Sequence, residues 1–144
     1  MSARSKMIGR AALAIMGIGL AATPAGSIAQ PDDATLELGK ALAGRVAGKP
    51  QSCIDPQAVG GPQIVGNRTL IYRQSGQRLW VTTLPDACPF LRTNVIVVTE
   101  LYGGQLCRSN RFRTITPNTS IPSGICRFGA FVPYDKLPTA KSER

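Results

Sequence analysis

Arginines, rather than acids or nucleophiles, are the residues of this 144-residue chain whose spacing offers chemistry. In the stretch CRSNRFR, Arg111 and Arg113 stand two apart on a predicted strand and so project from one face about 7 Å from each other. Arg108 follows Cys107 and Arg127 follows Cys126, so a bond between those two cysteines would gather four guanidinium groups. Each can grip a phosphate or carboxylate through two parallel hydrogen bonds. A second group lies in YRQSGQRLWV, where Ser75-Gly76 reads as the two-residue turn of a hairpin. That turn sets Arg73 opposite Arg78 and Tyr72 opposite Leu79, beside Trp80, the only tryptophan. With Ile71, Trp80 offers a stacking platform for a guanidinium; a small β domain would equally want those large side chains in its core. For both groups the competing reading is hydrated surface arginine with ordinary carboxylate neighbours.

Other chemistry has little to build on. The chain has no histidine, which removes Ser-His, Cys-His and His-ligated metal mechanisms. The region after residue 29 contains no S-x-x-K and no glycine-rich phosphate loop. A hydrolase of the paired-carboxylate kind would have to draw on Asp55, Asp86, Glu100 or Asp135. Asp55 and Asp86 read as turn residues beside cysteines, whereas Glu100 interrupts an apolar strand. No catalytic residue, metal or cofactor is assigned.

The compartment follows from the first residues. Arg4, Lys6 and Arg10 precede the apolar run AALAIMGIGLAA, and Ser27-Ile28-Ala29 provides a small-x-small site. This predicts a Sec signal peptide over 1–29 and a periplasmic or secreted product. Three of the 17 basic residues lie in that segment, so the remaining 115 residues carry 14 Lys and Arg against 8 Asp and Glu. The excess favours an acidic partner. In such a compartment that means an anionic envelope glycolipid or cell-wall polymer, or a periplasmic protein, rather than nucleic acid. No transmembrane segment is expected in the mature chain.

All four cysteines, Cys53, Cys88, Cys107 and Cys126, follow the predicted cleavage site. An even number with no C-x-x-C reads as two disulfides. Three connectivities are open; the local pairs Cys53 with Cys88 and Cys107 with Cys126 are preferred.

These residues need elements to hold them. Asp32 and Asp33, then Leu38, Leu42 and Val46 at four-residue spacing, then Arg45, Gly48 and Pro50 predict a short helix with a linker over 30–52. A disulfide-bonded β domain is expected over 53–134. Its strands include RTLIYRQ, QRLWVTTL, QLCRSNRFRTI and ICRFGAFV, and VIVVTELY, apolar on both faces, reads as a central strand. Residues 135–144 read as a disordered tail. The fold class is mainly β: a small antiparallel barrel or sandwich of about five to six strands with one short N-terminal helix.

An early cysteine, the TLIYR-SG-LW hairpin, CP-L, QLC and the final C-FG-F together resemble an uncharacterised family of small exported four-cysteine proteins of proteobacteria. The likeness spans Cys53 to Pro133. It implies export and fold, and no site residues. The functional expectation is a non-catalytic periplasmic module contacting an anionic envelope component through Arg73, Arg78, Trp80, Arg108, Arg111, Arg113 and Arg127. One alternative is a secreted protein-binding or inhibitor-like domain using the loop LPDACPFLR, stiffened by its disulfide; a small carboxylate hydrolase is the other.

Overall fold

Helix α1 (Asp33–Leu42) begins where Asp32 accepts a hydrogen bond from the Thr35 N–H at 2.8 Å. That bond holds the Asp32 carboxyl below its usual range, and Lys40 complements the dipole in the last turn. The computed structural model describes residues 32–75, 77–119 and 121–138. The predicted signal peptide and cleavage site, Gly76 of the hairpin turn and residues 139–144 lie outside the described residues. The helix is shorter than its stripe of apolar residues suggests. Gly44 adopts φ +68°, a left-handed conformation that ends the helical path. Val46 therefore belongs to a strand, 52% exposed, instead of a helical face.

Ten short strands follow among the described residues: β1 (Arg45–Ala47), β2 (Cys53–Ile54), β3 (Gln63–Val65), β4 (Thr69–Arg73), β5 (Leu79–Thr83), β6 (Ile96–Thr99), β7 (Leu106–Cys107), β8 (Arg111–Ile115), β9 (Cys126–Arg127) and β10 (Phe131–Lys136). All named pairings are antiparallel. They form a five-stranded sheet in the order β1-β10-β5-β4-β3, a three-stranded sheet β6-β8-β9 and the pair β2-β7. No closed barrel forms among the described residues. The strand count exceeds expectation because strands of two or three residues are too short to show an alternating pattern. β10 also takes in Asp135 and Lys136, so the predicted disordered tail starts inside a strand.

The five-stranded sheet is covered on both faces, which is why β4 and β5 are almost wholly buried. On one face Leu70, Tyr72, Trp80 and Phe131 join Ile54, Leu106, Phe112 and Phe128 of the smaller sheets and the segments following them. On the other, Val65, Ile71, Leu79 and Val81 pack beneath Ala34, Leu38, Ala41 and Leu42 of α1. This division depends on register. Tyr72 stands opposite Trp80, and Leu70 opposite Thr82. The two-residue turn expected at Ser75-Gly76 would have paired Tyr72 with Leu79 instead. The actual connection runs through 75–77, with the Gln74 N–H donating to the Arg78 carbonyl at 3.0 Å. A shift of one residue exchanges the faces of β5. It sends Trp80 to the core shared with the smaller sheets and Leu79 and Val81 under the helix.

The disulfides join Cys53 to Cys107 and Cys88 to Cys126, which corrects the local pairing preferred from spacing. Strand partnership decides it: Cys53 lies directly opposite Cys107 on β2 and β7. Cys88, fully buried, reaches β9 from the loop after β5. The bridges close sequence separations of 54 and 38 residues, long enough to remove substantial freedom from the unfolded chain.

Non-reducing peptide mapping should recover the Cys53–Cys107 and Cys88–Cys126 peptides, and a Cys88→Ala/Cys126→Ala protein should lose about 2 to 5 kcal/mol in urea unfolding. At Gly129 a side chain has no room, because an added Cβ would lie 2.0 Å from the Thr83 carbonyl oxygen. Gly129→Ala should therefore lower stability by about 1 to 3 kcal/mol, visible as an earlier urea midpoint.

Candidate anion-binding face

The hairpin group divides between the two sides of the sheet. Arg73 stands opposite Leu79 and not opposite Arg78. Its Nη2 donates to Gln63 Oε1 at 3.2 Å, and Gln63 Nε2 donates in turn to Glu37 Oε1 of α1 at 3.1 Å. Arg78 instead forms a two-pronged ion pair with Asp135, Nε to Oδ1 at 2.7 Å and Nη2 to Oδ2 at 2.8 Å. Its guanidinium lies over the Trp80 ring, 5.5 Å from the centroid. Trp80 is 5% exposed, and its Nε1–H donates to Gln74 Oε1 at 2.7 Å. The indole is core, with its one polar atom satisfied. It offers no open stacking platform.

Pairing with Arg78 holds the Asp135 carboxyl below its ordinary value of 3.8, and Arg45 adds to the effect; the same pairing raises Arg78. Both side chains are about half exposed, at 41% and 50%, so solvent screens much of their attraction. Arg45 Nη1 also donates to the Gln77 carbonyl, tying the hairpin connection to β1. Arg68 Nη2 donates to the Pro85 carbonyl at 2.7 Å. Thus Arg45, Arg68, Arg73 and Arg78 each have a partner within the fold.

The second group lies on the three-stranded sheet. β8 alternates regularly: Phe112 and Thr114 are buried, while Arg111 and Arg113 face outward. Arg127 of β9 is directly opposite Arg111, and Val98 of β6 is directly opposite Arg113. Since directly paired residues share a face, Arg111, Arg113 and Arg127 form one exposed triangle. Arg111 and Arg127 are neighbours across the strands, with Cβ atoms about 5 Å apart; on its other side Arg111 faces Glu100, whose N–H donates to the Arg111 carbonyl at 3.0 Å and whose carboxylate makes no ion pair with it. Among the described residues, none of the three makes a side-chain hydrogen bond or an ion pair. Arg108 is not gathered in through a Cys107–Cys126 bridge, since that bridge does not exist. It lies exposed in the turn between β7 and β8, its N–H donating to the Ser52 carbonyl at 2.7 Å.

The acidic candidates are engaged or placed separately among the described residues, with Asp86 lining a small cleft beside Arg127. Asp55 Oδ1 accepts from the Gln57 N–H at 2.8 Å in a turn. Asp135 is held by Arg78, and Glu100, just beyond β6, accepts from the Tyr102 hydroxyl at 3.4 Å. Among the described residues no group of three or more His, Cys, Asp or Glu side chains could hold a metal ion, and no helix is long and apolar enough to cross a membrane. The sequence matches no family model, and no curated protein or solved structure matches it well enough to lend a function or fold by similarity.

Two features of the face escaped sequence reasoning. The direct opposition of Arg111 and Arg127 depends on a strand pairing that spacing alone does not reveal. VIVVTELY was expected to be a central strand, but β6 is the edge of its sheet. Its outward residues Ile96 and Val98 are 55% and 45% exposed.

Trp80 should emit at short wavelength in the folded protein and resist aqueous quenchers until unfolding. Asp135→Asn should lower stability at neutral pH. Because the folded-state value of Asp135 is depressed, its contribution is present above 3.8 and is lost as pH falls through the lowered value. Urea midpoints of wild type and Asp135→Asn should therefore differ at pH 7 and converge in strong acid.

Proposed function

We propose that the protein is a non-catalytic extracytoplasmic module that contacts an anionic component of the cell envelope through Arg111, Arg113 and Arg127. The observation that carries this reading is the direct opposition of Arg111 and Arg127, with Arg113 on the same face and no protein carboxylate within ion-pair distance of any of them among the described residues. Like charges set opposite each other on paired strands cost stability. A bound phosphate or carboxylate offsets that cost by accepting paired hydrogen bonds from the guanidinium groups. The remaining candidates have weaker claims. Arg73, Arg78 and Trp80 are occupied within the fold, and Arg108 stands outside the triangle. In the inhibitor-like reading, buried Leu84, Cys88 and Leu91 would anchor LPDACPFLR while its exposed residues, Phe90 among them at 50%, would meet the partner; no arrangement comparable to the arginine triangle favours that loop.

Retention on immobilised polyphosphate tests the reading. Wild type should bind at low salt and elute as salt rises. Arg111→Ala/Arg113→Ala/Arg127→Ala should bind about tenfold or more weakly, a loss of at least 1.4 kcal/mol, with no loss of thermal stability because a repulsive pair is gone. Unchanged retention of the triple variant would make the face ordinary surface.

A further inference from the structure

The outer face of the three-stranded sheet is not uniformly basic. Beside the arginines it carries three large aliphatic side chains: Ile96 at 55% exposure, Val98 at 45% and Ile125 at 48%. The placement of the first two follows from the pairing. Val98 lies directly opposite Arg113, and Ile96 directly opposite Ile115. Ile125, just before β9, is exposed and lines the same small surface cleft as Arg127, together with Pro85, Asp86 and Ala87. The arginine pair Arg111 and Arg127 lies toward the other end of the sheet, where Glu100 bonds Tyr102, itself 70% exposed. The face therefore carries Ile96 at one end, Val98 beside Arg113 in the middle, and Arg111 between Arg127 and Glu100 at the other end, an interleaving of aliphatic and predominantly basic side chains.

A hydrophilic polymer of phosphate or carboxylate groups would use the arginines alone and leave the aliphatic side chains in water. An anionic amphiphile would use both. We infer that this face seats on an anionic lipid surface, with headgroup phosphates on Arg111, Arg113 and Arg127 and with Ile96, Val98 and Ile125 set shallowly at the acyl boundary. Charge complementarity selects the headgroup, and burial of the aliphatic side chains adds attraction that salt does not screen. Tyr102 has the amphipathic ring that favours such an interface. The inference rests on the anion-binding reading above and narrows its ligand from any envelope anion to a lipid.

The experiment is co-sedimentation of the disulfide-bonded protein with vesicles of phosphatidylglycerol and phosphatidylcholine, against phosphatidylcholine alone, at low and high salt. Polyphosphate retention is measured in parallel. Wild type should sediment with the anionic vesicles only and keep a bound fraction at high salt. Ile96→Ser/Val98→Ser should weaken vesicle binding about tenfold and leave polyphosphate retention unchanged, with Trp80 emission reporting an intact fold. Ile125→Ser and the high-salt fraction of wild type give the same information should the double variant not fold. Equal vesicle binding by wild type and the serine variants would overturn the inference. So would retention on polyphosphate without vesicle binding, which would leave the anion-binding reading standing and favour a polymer. Binding to neither probe would remove both. A concentration-dependent dimer abolished by Ile96→Ser/Val98→Ser, with no vesicle binding, would assign the aliphatic patch to a second copy of the chain and overturn the lipid assignment.

Discussion

The register between β4 and β5 governs where almost everything else in the molecule can sit. With Tyr72 opposite Trp80, the indole joins Tyr72, Phe131 and the aromatic side chains of the smaller sheet's side in one core. Phe112 and Phe128 lie with ring centroids 4.5 Å apart, and Phe128 and Phe131 at 6.0 Å. The same register presents Ile71, Leu79 and Val81 to the helix. A slip by one residue would put Trp80 under a helix whose contacting residues are Ala34, Leu38, Ala41 and Leu42, and would break both layers at once. β4 and β5 are buried on both faces over most of their length, so an error in their register cannot be absorbed by solvent.

Arginine serves two purposes in this chain, separated in space. Around the hairpin it is a joining element: Arg45, Arg68, Arg73 and Arg78 bond carbonyls, an amide and a carboxylate, and tie β-strands, turn and helix together. Planar guanidinium suits this use because one side chain can satisfy several acceptors without losing its charge. On the three-stranded sheet the same residue type is outward-facing and unengaged by the described residues. Net charge alone does not distinguish the two populations. What distinguishes them is whether the guanidinium is bonded to an acceptor of the fold.

Much of the architecture was legible because it rests on local signals. The acidic start and glycine stop of α1, the alternation along TLIYR and LWVTT, and the paired projection of Arg111 and Arg113 all follow from spacing within a few residues. The rest depends on long-range partnership. A three-residue hairpin connection and a two-residue turn look alike in sequence, yet they assign Trp80 to opposite faces. Likewise VIVVTELY shows aliphatic residues on both sides, the pattern of a central strand, but the structure places it at an edge with half of those residues outward. The arginines of the hairpin looked available because their acceptors, Asp135, Gln63 and chain carbonyls, are brought in from distant segments.

The two disulfides are interleaved along the chain: Cys53 reaches past Cys88 to Cys107, and Cys88 reaches past Cys107 to Cys126. Meanwhile β10, among the last segments, lies between β1 and β5. Neither half of the polypeptide is therefore a self-contained unit. β3, β4 and β5 pair as a contiguous meander beneath α1, whereas β1 has no partner strand until β10 lies beside it, so the sheet is complete only with one of the last segments of the domain. Until that strand is in place, the edge of β5 that it covers stays unpaired. Once β10 closes the sheet, its order along the chain no longer offers a place at which it can be divided.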